Sequence, residues 1–166
     1  MKKMVIISIA MTIALSLAAC GGSTSGSNNQ SEQGSISEAQ EKILASVDAI
    51  LGNIESANAE IEKIGSYMQQ GNFTAALSSI GTARTEFQKA AEECGDTEDF
   101  AKMKGILQSI CSKLNVLSSS SGADSGIEDK ISSVLDGCET LFESMGNEIE
   151  GTWVKKYNLS DGTDNS

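Results

Sequence analysis

Four stretches of this chain place apolar residues three and four positions apart, and this spacing restricts the possible folds more than any other feature. Residues spaced in this way lie on one face of an α-helix, so the pattern predicts amphipathic helices that share a buried seam. We expect helices over about 36–68, 73–94 and 97–117, and a fourth after a loop at 118–123 that runs to about 149. The stripe of the first comprises Ile36, Ile43, Val47, Ile50, Ile54, Ala57, Ile61, Ile64 and Met68, and that of the second comprises Phe73, Ala76, Ile80, Ala83, Phe87, Ala90 and Cys94. The stripe of the third comprises Phe100, Met103, Leu107, Ile110, Leu114 and Leu117, and that of the fourth comprises Ile127, Ile131, Val134, Cys138, Leu141 and Met145. Proline is absent and aromatic residues are few, which also favours long helices.

Short connections between such helices imply antiparallel neighbours. The predicted fold is therefore all-α, an antiparallel up-down four-helix bundle over residues 36–150 with a long first helix. That helix is about ten residues longer than the second, so its N-terminal end is expected either to project or to break near Gly52. The stripes could also form a surface for a partner helix, but four stripes in one chain can cover one another.

Polar residues at the predicted boundaries favour the same helix ends. Ser35 with Glu38, and Ser125 with Glu128, have the spacing of a capping box, in which side chains bond the free backbone N–H groups of a first turn. Gly95-Asp96 is predicted to end the second helix and to cap the third.

The first twenty residues have the three zones of an export signal. Lys2 and Lys3 precede an apolar run from Met4 to Ala14, which is too short to span a bilayer permanently. The segment then ends in Leu17-Ala18-Ala19-Cys20, which resembles the lipobox of bacterial lipoproteins. This resemblance implies that residues 1–19 are a lipoprotein signal peptide and that Cys20 becomes a lipidated first residue. The alternative is an ordinary secretory signal, cut after Ala19, that leaves a free thiol.

Residues 20–35 are rich in Gly, Ser and Asn and cannot form a core, so they are expected to be a flexible tether. Gly21 stands where the inner-membrane retention signal of Gram-negative lipoproteins has Asp. The resemblance therefore implies a lipid anchor in the outer face of the cytoplasmic membrane, on the surface of a Gram-positive cell. The bilayer is the first expected partner.

The charge of the chain restricts its other partners. Its formal net charge of −11 becomes −13 when Lys2 and Lys3 leave with residues 1–19. An acidic body disfavours nucleic acid and bare anionic lipid as partners. We expect an unknown envelope or host protein instead.

The residue types disfavour catalysis. Histidine is absent, which removes the usual general base and the commonest transition-metal ligand. Phosphate-binding and nucleophile motifs are also missing, so we expect no enzyme, no cofactor and no metal. An acidic cluster surrounds the second turn and could hold Ca²⁺, but its residues also suit a helix N-terminus. Its members are Glu92, Glu93, Asp96, Glu98 and Asp99.

Three cysteines follow Cys20, and an odd number leaves at least one thiol unpaired within the chain. Ideal antiparallel helices bring Cys111 and Cys138 nearer to each other than Cys94 and Cys111, but still about 8 Å too far apart, so this pair is a possible disulfide only if the register of the helices shifts. The favoured interpretation is that Cys94 and Cys138 are small core residues.

Residues 151–166 are predicted to be a C-terminal tail with strand-like residue types. Gly151-Thr152-Trp153 resembles the Gly-x-Trp opening of lipocalin-like domains over three residues only, and too little chain follows to build a barrel. Trp153 and Tyr157 are therefore expected to dock on the end of the bundle, with a loose strand as the alternative.

Three functions follow from these features. The first is a non-catalytic, membrane-anchored interaction module. The second is a module that binds a small apolar molecule in a cavity beside the alanines of the second helix. The third is a hydrolase, which would need two carboxylates within about 10 Å in a cleft rimmed by Trp153 or Tyr157.

Overall fold

The computed structural model describes residues 38–157, which are helical and contain no β-strand. Four long helices confirm the predicted all-α class. A short 3-10 turn, Glu98–Phe100, leads into the third helix, and a π-helical stretch, Ile149–Trp153, with a last turn, Val154–Lys156, extends the fourth. The helices are α1 (Glu38–Gln69), α2 (Phe73–Glu93), α3 (Ala101–Asn115) and α4 (Ile127–Glu148).

The apolar stripes form one continuous core. α1 packs mainly on α2, α2 also packs on α3, and α3 packs on α4. Every stripe residue predicted for the third helix is buried, as are most of those on the other three. The largest side chains that are almost completely buried include Trp153, Phe87, Ile50, Ile64, Met103 and Leu107.

α1 does not break at Gly52. It is continuous over 32 residues, whereas α2 has 21. A Cβ atom added at Gly52 would meet nothing within 4 Å, so no close approach explains this glycine. The second of the two expected alternatives, a break near Gly52, is therefore wrong, and Ile43 in the extra length packs against the core.

Backbone geometry at the turns agrees with some predicted boundaries. Gly71 and Gly95 have φ values of +68° and +56°, a region that glycine adopts at little cost, and Gly95 ends α2 as predicted. Asn72 caps α2, because its side-chain oxygen accepts a hydrogen bond of 3.2 Å from the Ala75 N–H.

Two predicted caps are wrong. Gly126, with φ +73°, occupies the N-cap of α4 and provides no side-chain bond, so Ser125 does not cap that helix. Thr97 precedes the 3-10 turn, also without a side-chain cap, and Asp96 pairs with Lys104 instead. The predicted cap at Ser35 lies outside the described residues.

The predicted boundary between bundle and tail at residue 150 falls within the π-helical stretch. Residues 151–156 continue the helix, so the loose-strand alternative is wrong for this part of the tail. A π-turn inserts one extra residue into the helical repeat and so rotates the following side chains relative to the stripe. Trp153 is buried after this turn, with an exposed fraction of 1%.

Candidate functional site

The predicted lipidation site lies outside the described residues. Leu17, Ala18, Ala19 and Cys20 precede Glu38, where the description of the chain begins. The structure therefore describes only the helical body, residues 38–157. The two ends of this body differ in the types of side chain that they contain.

Three aromatic rings meet where α2 turns into α3, and we call this the aromatic end (Phe100, Trp153 and Tyr157). The ring centroid of Phe100 lies 5.5 Å from that of Trp153 and 6.2 Å from that of Tyr157. Trp153 and Tyr157 meet edge to face, with centroids 5.8 Å apart. This arrangement agrees with the docking predicted for Trp153 and Tyr157. Large rings in such contact stabilise a packed end both by burial and by ring geometry.

Ion pairs join the same segments around the rings. Lys156 in the last turn bonds Asp99 in the 3-10 turn at 2.5 Å. Lys102 bonds the almost buried carboxylate of Glu148 at 2.8 Å. Asp99 raises the pKa of Lys156 by accepting this hydrogen bond. The last described turn, Val154–Lys156, is thus held beside the start of α3 by ring contacts and ion pairs.

Tyr157 is the least satisfied polar group at this end. Its buried hydroxyl has no hydrogen-bond partner among the described residues. Burial raises the pKa of Tyr157, and the nearby Lys156 opposes this shift. The neutral phenol is therefore the form that this environment favours.

The acidic cluster at the α2–α3 turn is partly neutralised by Lys104, and its carboxylates do not converge on one site. Lys104 bonds the Gly95 carbonyl oxygen at 2.7 Å and the Asp96 carboxylate at 3.2 Å. Glu92 accepts a hydrogen bond from Gln88, within the same helix. Within residues 38–157, no group of three or more His, Cys, Asp or Glu side chains could hold a metal ion.

The cysteines do not form the possible disulfide. Cys94, Cys111 and Cys138 are all free in this structure, and the possible pairing of Cys111 with Cys138 stays a prediction. Cys94 and Cys138 are almost fully buried, as expected for core residues. Burial raises the pKa of each of these two thiols from 9.0 to about 11, which makes them poor nucleophiles at neutral pH.

The alanine face of α2 is closed. Ala76, Ala83 and Ala90 are completely buried. α2 has its most extensive packing with α1, and small side chains allow two helices to approach closely. This packing favours a continuous seam over the ligand cavity proposed for this face.

The opposite end, which we call the loop end, consists of the α1–α2 turn at 70–72 and the α3–α4 loop at 116–126. Residues 64–83 and 114–123, which surround it, contain no charged side chain. Val116 is 57% exposed and is the one large exposed hydrophobic residue within 38–157. Gly122 packs directly on Thr74, where an added Cβ would lie 2.7 Å from the Thr74 nitrogen.

The sequence did not predict that Trp153 and Tyr157 contact Phe100. The stripe marked Phe100 only as a core residue of the third helix, and no pattern pointed to the bonds of Lys156 or Lys102. Phe100 and Trp153 are separated by two whole helices, so their contact follows from the packing of α3 on α4. The one sequence signal for these contacts was the local grouping of Trp153, Lys156 and Tyr157.

Comparison with models of known protein families, with curated proteins and with solved structures gave no match. Among the helices of residues 38–157, none combines the length and apolar character needed to cross a bilayer.

Proposed function

We propose that this chain is a bacterial lipoprotein, anchored through Cys20 in the outer face of the cytoplasmic membrane, whose helical body is a non-catalytic interaction module. The observation that carries the proposal is Leu17-Ala18-Ala19-Cys20 at the end of a short apolar run. Each buried methylene contributes about 0.8 kcal/mol, so two or more acyl chains on Cys20 would hold the protein firmly. Residues 20–35 then act as the tether of a Gram-positive surface protein.

The body is proposed to be an antiparallel up-down bundle. Two contacts support this arrangement in addition to the packing of successive helices. Lys102, near the start of α3, bonds Glu148 at the end of α4, as expected if these helices run in opposite directions. Phe87 of α2 stacks on Phe142 of α4 with centroids 6.0 Å apart, which supports a shared core.

The distribution of perturbed groups supports an interaction module rather than an enzyme. Active sites gather several titratable groups with shifted pKa values in one cleft. Here the shifts belong to separate features: the buried thiols, the aromatic end, and the exposed pair of Glu60 with Lys63, in which the hydrogen bond from Lys63 lowers the pKa of Glu60. The partner is proposed to be an envelope or host protein.

Mass spectrometry of the protein purified from membranes of a Gram-positive host tests the anchor. We expect the mature chain to begin at Cys20 and to carry a diacylglyceryl group there, with the protein in the membrane fraction. Cys20→Ser should lose the added mass and leave the membrane fraction. Cys111→Ser is the matched control and should keep both. A mature protein with an unmodified thiol at residue 20 would contradict the proposal.

A further inference from the structure

The side of the body where α3 packs on α4 carries cations, although the chain as a whole is acidic. Residues 100–123 contain no Asp or Glu, whereas acidic residues outnumber basic ones by 23 to 12 in the whole chain. We call three exposed lysines on this side the basic strip: Lys102, Lys113 and Lys130. Lys102 pairs with Glu148, yet its side chain remains 72% exposed, and in the described part of the chain the other two lysines form no ion pair. The strip can therefore meet carboxylates from outside the molecule.

Three contacts fix the antiparallel register of α3 and α4 along this strip. They are the ion pair of Lys102 with Glu148, the approach of Lys113 Nζ to within 3.9 Å of a Cβ added at Gly137, and the hydrogen bond of 2.8 Å from Lys130 to Ser120. From one contact to the next, each step forward along α3 and the following loop is matched by an equal step back along α4. The heights of residues on the two helices can therefore be compared at about 1.5 Å per residue.

A complementary surface lies on the outward face of α4 and of its π-helical extension. We call it the acidic row, and its four exposed carboxylates, which form no ion pair within residues 38–157, are Asp129, Asp136, Glu143 and Glu150. Successive residues differ by about 100° around a helix axis, so Asp136 points away from its neighbour Gly137, which lies beside the strip. The row and the strip are thus separate surfaces, and both can be in contact at the same time.

The strip and the row match in height. Three pairs agree to within about 3 Å along the helix axes: Lys102 with Glu150, Lys113 with Asp136, and Lys130 with Asp129. A second copy that points in the same direction can therefore place a carboxylate opposite every lysine of the strip. Val116 follows Lys113 by three residues on the same side of α3, and its 57% exposed side chain adds an apolar contact there.

We propose that the protein associates with further copies of itself side by side, with the basic strip of one copy against the acidic row of the next. Because two different surfaces meet, the contact is heterologous and builds a chain or a ring of copies. The second copy is a partner in addition to the envelope or host protein proposed above. The contact does not require the anchor at Cys20, although copies anchored in one membrane also point in one direction.

The acidic character of both copies does not prevent this contact at physiological salt. The Debye length there is about 8 Å, so charges on distant faces are screened, whereas charges that face each other still attract. Surface ion pairs are individually weak, so the association depends on the alignment of several pairs.

Carbodiimide cross-linking tests the contact, because this reagent joins an amine to a carboxylate without a spacer. The mature protein is treated at about 0.15 M salt and separated by size. We expect dimers and larger products. Mass spectrometry of the dimer should find Lys113 joined to Asp136, and Lys130 joined to Asp129.

Two variants reverse one surface each. Lys113→Glu with Lys130→Glu makes the strip acidic, and Asp136→Lys with Glu143→Lys makes the row basic. Each variant alone should give about tenfold less dimer, because attractive pairs become repulsive. An equal mixture of the two variants should restore the dimer, since the reversed strip then meets the reversed row and the unchanged surfaces meet each other.

Lys42→Glu with Lys155→Glu is the matched control, because it changes the net charge as the strip variant does but at exposed lysines outside the strip. This control should keep the dimer. Loss of the dimer in the control, no dimer from the natural protein, or equal dimer from all variants would overturn the proposal. A mixture of strip and row variants that stays monomeric would overturn it too. Circular dichroism of each variant checks the fold.

Discussion

The aromatic end is packed with large rings, whereas two of the three glycines with positive φ values lie at the loop end, the third being Gly95 at the α2–α3 turn. Phe100, Trp153 and Tyr157 fill the first with rings, and two ion pairs bind the last turns to α3. At the loop end, Gly71 and Gly126 adopt positive φ values. Both ends thus use a glycine turn, but only the aromatic end adds a cluster of buried rings.

Removal of the largest ring should be the most damaging change at either end. Trp153→Ala removes a side chain that is 1% exposed, and such a cavity costs about 3–5 kcal/mol of the free energy of unfolding. Urea unfolding followed by circular dichroism measures the loss. Val116→Ala is the control, because that side chain is 57% exposed and should change stability by less than about 0.5 kcal/mol. Similar losses in the two variants would contradict the proposed difference between the ends.

Alkaline pH should lower the free energy of unfolding, because it favours ionisation of the buried thiols. One of these, Cys94, borders the aromatic end. The unfolded thiol ionises near its ordinary pKa of 9.0, but burial raises the pKa of folded Cys94 and Cys138 to about 11. The unfolded state therefore binds fewer protons above pH 9.0, and stability must fall as pH rises. The free energy of unfolding should therefore be unaffected by these thiols below pH 9.0 and should fall between pH 9.0 and about pH 11, by at most about 3 kcal/mol per thiol.

Urea unfolding at several pH values between 8 and 11 measures this slope. Burial also raises the pKa of Tyr157, so this phenol steepens the fall in the same direction at still higher pH. Cys138→Ala should reduce the slope, whereas Cys111→Ala, at a half-buried position, should reduce it less. A stability that rises over this range would show that the thiols are not held neutral in the core.

A methyl group added at Gly122 tests the backbone contact of the loop end. The new Cβ would lie 2.3 Å from Thr74 Oγ1 and 2.7 Å from the Thr74 nitrogen, so the backbone must shift. We expect Gly122→Ala to cost about 1–3 kcal/mol, measured as a lower Tm. Gly105→Ala is the matched control, because nothing lies within 4 Å of its added Cβ and a helical alanine should stabilise by about 0.5–1 kcal/mol. Equal changes in Tm would argue against a close contact.

The helices and the core could be predicted from the sequence because apolar residues that recur with the helical period lie on one face of the helix, and this face is the one that becomes buried. Phe73 begins α2 as the stripe predicts, and Leu107 and Ile110 are completely buried. On α4 the prediction was less accurate, since Leu135 is buried where the stripe named Val134. A wide apolar face allows the helix to rotate slightly, and only packing fixes that rotation.

The aromatic end could be predicted only in part. The residue types at 151–157 favour a strand locally, yet residues 151–156 are helical, the π-turn at Ile149–Trp153 precedes the last turn, and Trp153 contacts Phe100. Local propensity is a weak guide where tertiary contacts are strong. The charges of Lys156 and Asp99 carry no signal of their pairing, because 57 residues separate them. The anchor at Cys20 remains a prediction from its motif.

The smallest expected difference concerns two caps, both near the loop end. Asn72 accepts a hydrogen bond from the Ala75 N–H, so Asn72→Ala should cost about 1 kcal/mol of the free energy of unfolding. Ser125 matches the capping-box pattern equally well, but Gly126 takes the N-cap of α4 without a side-chain bond. Ser125→Ala should therefore change stability by less than about 0.5 kcal/mol. Because both substitutions remove one polar side chain next to a helix start, a comparable loss in the two would mean that Ser125 caps α4 in solution, and that the start of α4 depends on a side chain as well as on Gly126.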